Sequence, residues 1–232
     1  MRQPRTDDTA QSADPARESP SGWDAMITTS RDFLLGDGGK RPPLVVGIGG
    51  ALSTRSNTEK AIAVVLAHAS GLGAQTLLFA GEALNLPLYG RTEAARSPAA
   101  SALVAAMRQA DALVLASPSY HGGISGVVKN AIDYAEELRA DTPPYLDERA
   151  VGCIATGGGW QGAVITLNAL RNVVHTLRGW NTPLGVVINT SEDRFDEAGR
   201  CSSEKIEEQL RAMAQQLVEF AIMRAKARAV AP

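Results

Sequence analysis

The sequence predicts an α/β fold: a doubly wound, five-stranded parallel sheet in the order 2-1-3-4-5, with helices on both faces. Three observations carry this. Short, continuously apolar runs recur five times along the chain, as expected of strands buried on both faces. Segments with apolar residues at helical spacing separate them. Strand and helix alternate throughout, which calls for parallel pairing through helical crossovers.

The first run, LVVGIGG (Leu44 to Gly50), ends in glycine and leads into a helix, Asn57 to Ser70, with Ile62, Val65, Leu66 and Ala69 on one face. Gly71-Leu72-Gly73 stops that helix, and AQTLLFA (Ala74 to Ala80) is the second strand. A loop with Pro87 precedes a helix over Pro98 to Gln109. ALVLASP (Ala112 to Pro118) is the third strand, and Pro118 ends it. A helix over Ser125 to Leu138 carries Val128, Ala131, Ile132 and Ala135 inward. AVGCIAT (Ala150 to Thr156) is the fourth strand. The next helix, near Gln161 to Arg178, spaces Ala163, Leu167, Leu170, Val174 and Leu177 at steps of three and four. PLGVVIN (Pro183 to Asn189) is the fifth strand, and a last helix runs from Ser202 to about Arg224.

The domain these elements form is expected over residues 41–228. Residues 1–40 differ from it: they are rich in Pro, Ser, Asp and Arg and nearly empty of large apolar side chains before Trp23. Such a segment buries too little to offset its ordering entropy, so it reads as a disordered or arm-like extension. The formal net charge of −2 gives no pull toward nucleic acid or an anionic membrane. No apolar stretch reaches the roughly 18 residues of a membrane helix, and no secretory signal is visible, so a cytoplasmic protein is expected. The two cysteines, Cys153 and Cys201, form neither a CxxC pair nor a metal cluster with histidine.

In a sheet of this order the ligand lies at the carboxyl ends of the strands, and the loops after strands 1, 3 and 4 have unusual composition. The first holds Ser53, Thr54, Arg55, Ser56, Asn57 and Thr58 directly before a helix. Hydroxyls, an amide, a guanidinium and the free N–H groups of a helix start suit a dianionic phosphate monoester. Plain N-capping by Ser56 or Asn57 is the simpler alternative, but it needs one such residue and not a run of them. The second loop, Pro118, Ser119, Tyr120, His121, Gly122 and Gly123, offers glycines for close backbone approach to a flat ring. Tyr120 and His121 can pack on that ring. Ser125 is not in a GxSxG elbow and reads as a helix N-cap. The third loop, Thr156, Gly157, Gly158 and Gly159, is bare backbone, and the following Trp160 either covers the site or enters a subunit contact.

Two other phosphate motifs do not fit. A P-loop requires GxxxxGK[ST], and no lysine follows here. A dinucleotide fingerprint fails because Leu52 stands at its last position and no acidic residue closes the second strand.

With these segments in hand, the sequence resembles the NADPH-dependent FMN reductase family of flavodoxin-like proteins. Gly50-Ala51-Leu52-Ser53-Thr54-Arg55-Ser56-Asn57-Thr58 is similar to the family's phosphate loop G-S-x-R-x-x-S-x-T/N. Pro118-Ser119-Tyr120 with Gly126, Lys129, Asn130 and Asp133 matches its ring loop. Thr156-Gly157-Gly158 matches its third loop. The resemblance covers about residues 44–190. It implies FMN with its phosphate at Ser53, Arg55, Ser56, Asn57 and Thr58, and its ring against Pro118 to Gly123 and Thr156 to Gly159. It also implies NADPH as hydride donor to flavin N5, with Tyr120 lining the nicotinamide side and no side chain as obligatory acid or base. Reduced flavin would pass to a partner monooxygenase or serve a quinone-like small-molecule acceptor. A homodimer or homotetramer is expected, with the Ser125 to Leu138 helix as contact surface. The alternative is an FMN-binding electron carrier or redox sensor without its own NADPH activity.

Overall fold

In the computed structural model, which describes residues 41–52, 56–90 and 97–230, each apolar run contributes a strand to one sheet, but only the first, third and fourth lie at its centre; AQTLLFA, expected to be buried on both faces, forms an edge strand with Leu77 and Leu78 exposed. The expectation for residues 1–40 lies outside the described residues. β1 (Leu44–Gly49) is buried at every position. β2 (Gln75–Phe79) pairs parallel to it on one side, and β3 (Ala112–Tyr120) on the other. β3 then turns back into β4 (Gly123–Ile124), a two-residue antiparallel strand. β5 (Ala150–Gly157) lies parallel to β3. Beyond β5, one position is shared by β6 (Trp180–Asn181) and β7 (Val186–Asn189), both parallel to β5.

The parallel path follows the expected order, but the sheet has seven strands and not five. One addition is β4; β3 does not end at Pro118 as expected but runs on to Tyr120 and pairs with β4. The other comes from a break in the last strand. Pro183 has no N–H to give a ladder, and Thr182 turns the chain by donating from Oγ1 to the Leu184 carbonyl, 2.7 Å. The expected strand over Pro183 to Asn189 therefore pairs only from Val186, while Trp180 and Asn181 pair with Ala150 and Val151.

The helices are α1 (Asn57–Gly71), α2 (Pro98–Gln109), α3 (Gly126–Asp133), α4 (Trp160–Thr176) and α5 (Glu204–Val230). Pro98 begins α2 at its first turn, where a missing N–H costs nothing. The helix expected through Leu138 tightens after Asp133 into a 3₁₀ segment, Tyr134–Leu138. None of these helices is long and apolar enough to cross a membrane.

Strand alternation divides the core. Val46, Ile48, Leu113, Leu115, Val151 and Cys153 face α2, α3, the 3₁₀ segment and α4. Val45, Ala112, Val114, Ala116, Ala150 and Ile154 face α1 and α5. The second face is built from small residues where the helices come closest. A Cβ on Gly47 would stand 2.4 Å from Ile62 Cγ2, and one on Gly152 would stand 2.5 Å from Met213 Sδ. Glycine there lets the apolar ridge of each helix settle against backbone.

Gly49 is constrained twice. Its φ is +152°, and a Cβ would lie 1.9 Å from the Ala116 carbonyl oxygen of β3. Rigid backbone cannot yield as a side chain can. Gly49→Ala is expected to lower the unfolding free energy by about 3 kcal/mol, read as a drop in the urea midpoint. An unchanged midpoint would mean that β1 and β3 can separate freely at this point.

Candidate functional site

The loops after β1, β3, β5 and β7 open on one edge of the sheet, the carboxyl ends of its parallel strands. β1 leaves through Gly49 and Gly50, and the Gly50 N–H donates to the Ala116 carbonyl, 3.2 Å. Of the residues expected to bind phosphate, Ser53 and Arg55 lie outside the described residues, as does Thr54. Ser56 is the N-cap of α1, and its Oγ accepts from the Glu59 N–H, 3.1 Å. The capping alternative is therefore present at Ser56. The N–H groups of Asn57 and Thr58 have no acceptor among the described residues, so the start of α1 keeps free donors and the positive end of its dipole. The Thr58 hydroxyl is directed elsewhere: it is buried and lies 2.5 Å from the hydroxyl of Thr156, which is buried as well. These two residues, expected as separate ligand contacts, bond to each other and tie the first loop to the third.

The second loop is a hairpin. Ser119 pairs with Ile124 and Tyr120 with Gly123, leaving His121 and Gly122 as the two turn residues. Both have positive φ, 54° and 76°, the pattern of a type I′ turn, whose twist matches that of the flanking strands. Gly122 takes this conformation easily and His121 at some cost. Tyr120 and His121 point to solvent, and Pro118 and Ser119 are half-buried. Below the hairpin, Ser117 Oγ donates to the Pro118 carbonyl, 2.8 Å, and accepts the Ser125 N–H, 2.8 Å. Ser125 occupies the N-cap position of α3, but its side chain makes no capping bond.

In the third loop Gly157 is half-buried while Gly158 and Gly159 are exposed, and a Cβ on either exposed glycine would touch nothing within 4 Å. Trp160 begins α4, is half exposed, and donates from Nε1 to Glu192 Oε1, 2.9 Å. The same oxygen accepts from Asn189 Nδ2, 2.6 Å, so the end of β7 fixes the indole.

Sequence reasoning missed three positions that shape this rim. Asn130 ties the loop after β2 to α3: its Oδ1 accepts the Tyr89 N–H, 2.9 Å, and its Nδ2 donates to the Pro87 carbonyl, 3.0 Å. Lys129 and Asp133 of the same motif pair with each other, 2.6 Å. Thr166 of α4 reaches the hairpin, and Glu192 holds Trp160. No periodicity or motif marks Thr166 or Glu192. Asn130 stood within a matched motif, which says nothing of what its amide holds.

Residues 43–193, well over half of the chain, match the family model described as NADPH-dependent FMN reductase. The chain belongs to that family. Among curated relatives, an FMN-dependent NADPH-azoreductase of Staphylococcus aureus is 35% identical over 113 residues, which span 48% of this chain and 56% of the relative. The alignment thus covers only about half the length of either protein. Among solved structures, an apo NADH:FMN oxidoreductase superposes with a TM-score of 0.59 at 20% identity, covering 76% of this chain and 88% of that one. A WrbA-like flavodoxin from Agrobacterium tumefaciens gives 0.54 at 18% identity, covering 79% and 99%. At these identities the structural neighbours establish the flavodoxin-like fold.

One nucleophile lies beneath the rim and is silent. Burial pushes the Cys153 thiol up to about 12, and its Sγ is 3.6 Å from Asn181 Oδ1. It stays protonated, and so unreactive, through the neutral range. Alkylation at pH 8 is expected to label Cys153 only after denaturation; labelling of the folded protein at Cys153 would contradict this burial.

Proposed function

We propose that this protein is an NAD(P)H-dependent FMN reductase whose rim binds FMN. In this reading it takes hydride from NADPH and delivers the electrons to a small-molecule acceptor of quinone or azo type, or passes reduced flavin to a monooxygenase. The observation that carries the reading is a juxtaposition. The start of α1, whose Asn57 and Thr58 N–H groups find no acceptor among the described residues, the open glycines 158 and 159 and the hairpin at Tyr120 lie on one rim, in a chain of the FMN reductase family.

The residues present fit FMN. The phosphate would take the N–H groups of Asn57 and Thr58, with Ser56 and, from the neighbouring segment, Ser53 and Arg55. The Thr58 hydroxyl would act through Thr156 and not on the phosphate. The ring would lie against Pro118–Gly123 and Thr156–Gly159, where the backbone of Gly158 and Gly159 is unobstructed by side chains, with Tyr120 outermost toward NADPH. FMN, when bound, supplies the redox chemistry at N5, and the protein supplies orientation and electrostatics. The exposed Tyr120, Trp160, Val164 and Ile165 at this rim support a homodimer or homotetramer that covers the site. The free thiols of Cys153 and Cys201 accord with a reducing cytoplasmic setting.

The purified protein is expected to bind FMN and to oxidise NADPH faster than free flavin does, followed at the nicotinamide absorbance band. Tight flavin binding without oxidation would mark an electron carrier or redox sensor instead. For the phosphate, Arg55→Ala with Ser56→Ala is expected to weaken FMN by about a hundredfold and leave riboflavin affinity unchanged; equal loss for both ligands would move the phosphate elsewhere.

A further inference from the structure

Helix α4 reaches the hairpin with one buried hydroxyl, that of Thr166. Thr166 is fully buried; its Oγ1 lies 2.9 Å from Ser119 Oγ on β3 and 3.2 Å from the Gly123 carbonyl on β4. A threonine hydroxyl has one hydrogen and two lone pairs. It can donate to Gly123 while accepting from Ser119, or donate to Ser119 at the shorter distance. Only the first arrangement bonds both strands at once, with Thr166 donating to the Gly123 carbonyl on the returning strand and accepting from Ser119 on the outgoing one.

The hairpin depends on such a tie. It has two residue pairs, and a turn residue, His121, with positive φ. A ribbon this short has little stability of its own. Packing completes the contact. A Cβ on Gly162 of α4 would lie 3.0 Å from Ser119 Oγ, and one on Gly157 would lie 3.2 Å from Ser119 Cβ. Ser119 is thus wedged between two glycines, one from α4 and one from the third loop, with Thr166 bonded to it from below. How far the hairpin leans toward residues 157–159 is fixed by these contacts.

We infer that Thr166 is a positioning residue for the flavin ring. By holding Ser119 and Gly123 against α4, it sets the separation between the hairpin and the third loop, and so the distance of their backbone donors from the two edges of a ring bound between them. Thr166 acts through the hairpin. The inference rests on the reading of this rim as the FMN site.

The test compares the parent protein with Thr166→Val, which keeps the shape and loses the hydroxyl, and Thr166→Ser, which keeps the hydroxyl. FMN and riboflavin affinities are read by flavin fluorescence, together with the midpoint potential of bound FMN. Thr166→Val is expected to weaken FMN and riboflavin alike by about tenfold, the worth of one buried hydrogen bond, and to shift the potential. Thr166→Ser is expected to restore both. This pattern differs from that of the phosphate-loop variant, which affects FMN alone. Parental affinity and potential in Thr166→Val, or no rescue by Thr166→Ser, would overturn the inference. If Thr166→Val does not fold, Thr166→Ala carries the test: equal weakening for both flavins, restored by Thr166→Ser, supports the inference, and unchanged binding overturns it. Failure of the parent protein to bind any flavin would overturn the functional reading and this inference together, whereas normal binding by Thr166→Val overturns this inference alone.

Discussion

The parallel ladder between β3 and β5 runs without interruption from Ala112 opposite Ala150 to Pro118 opposite Thr156. Both strands are buried along nearly their whole length, so their register cannot slip without moving every side chain to the wrong core. The relative height of the second and third loops follows from this ladder. β1 ends lower, with Gly49 opposite Ala116. The start of α1 is nonetheless held at the level of the β5 end, where Thr58 bonds Thr156.

The polar groups near the rim are matched to each other. Thr58 bonds Thr156, Ser117 holds the Pro118 carbonyl and the Ser125 N–H, and Thr166 reaches Ser119 and Gly123. Hydroxyls in an apolar setting are costly when unpaired and fix geometry when paired. The hydrophobic face below does not determine where the loops stand, because apolar packing has no direction. The hydroxyl pairs do, and they link the first loop to the third and the second loop to α4. Among the described residues, the N–H groups of Asn57 and Thr58 are left without an acceptor.

Much of the fold was legible in the sequence because burial on both faces leaves a local mark. LVVGIG, ALVLAS and AVGCIAT are continuous apolar runs, and each lies in a central strand. Pro98 and the spacing after it gave α2 its bounds. Two kinds of feature were not legible. β4 is two residues, Gly123 and Ile124, too short for any period, and it exists because the turn at His121 and Gly122 brings it back to β3. The gap between β6 and β7 turns on Pro183, which the sequence displayed but which a reading of apolar runs absorbed into one strand. At the site, the residue types were visible and their partners were not. Thr58 and Thr156 both looked like ligand donors, since a bond between positions 98 apart leaves no trace in either neighbourhood. Thr166 looked like an ordinary mid-helix residue.

The unequal faces of the sheet bear on how this scaffold can change. Toward α1 and α5 the central strands present Gly47, Ala112, Ala116, Ala150 and Gly152 beside Val45, Val114 and Ile154, and at Gly47 and Gly152 even a methyl group has no room. Toward α2, α3 and α4 they present Val, Ile, Leu and Cys, which can be exchanged for one another at small cost when volume is kept. Exchange is thus most restricted at Gly47 and Gly152, on one side of the sheet. The helices on the permissive side, α3 and α4, are also those that border the hairpin and the glycine loop. The hairpin side of the rim thus rests on the layer that tolerates repacking, while α1 packs on the layer that holds Gly47 and Gly152.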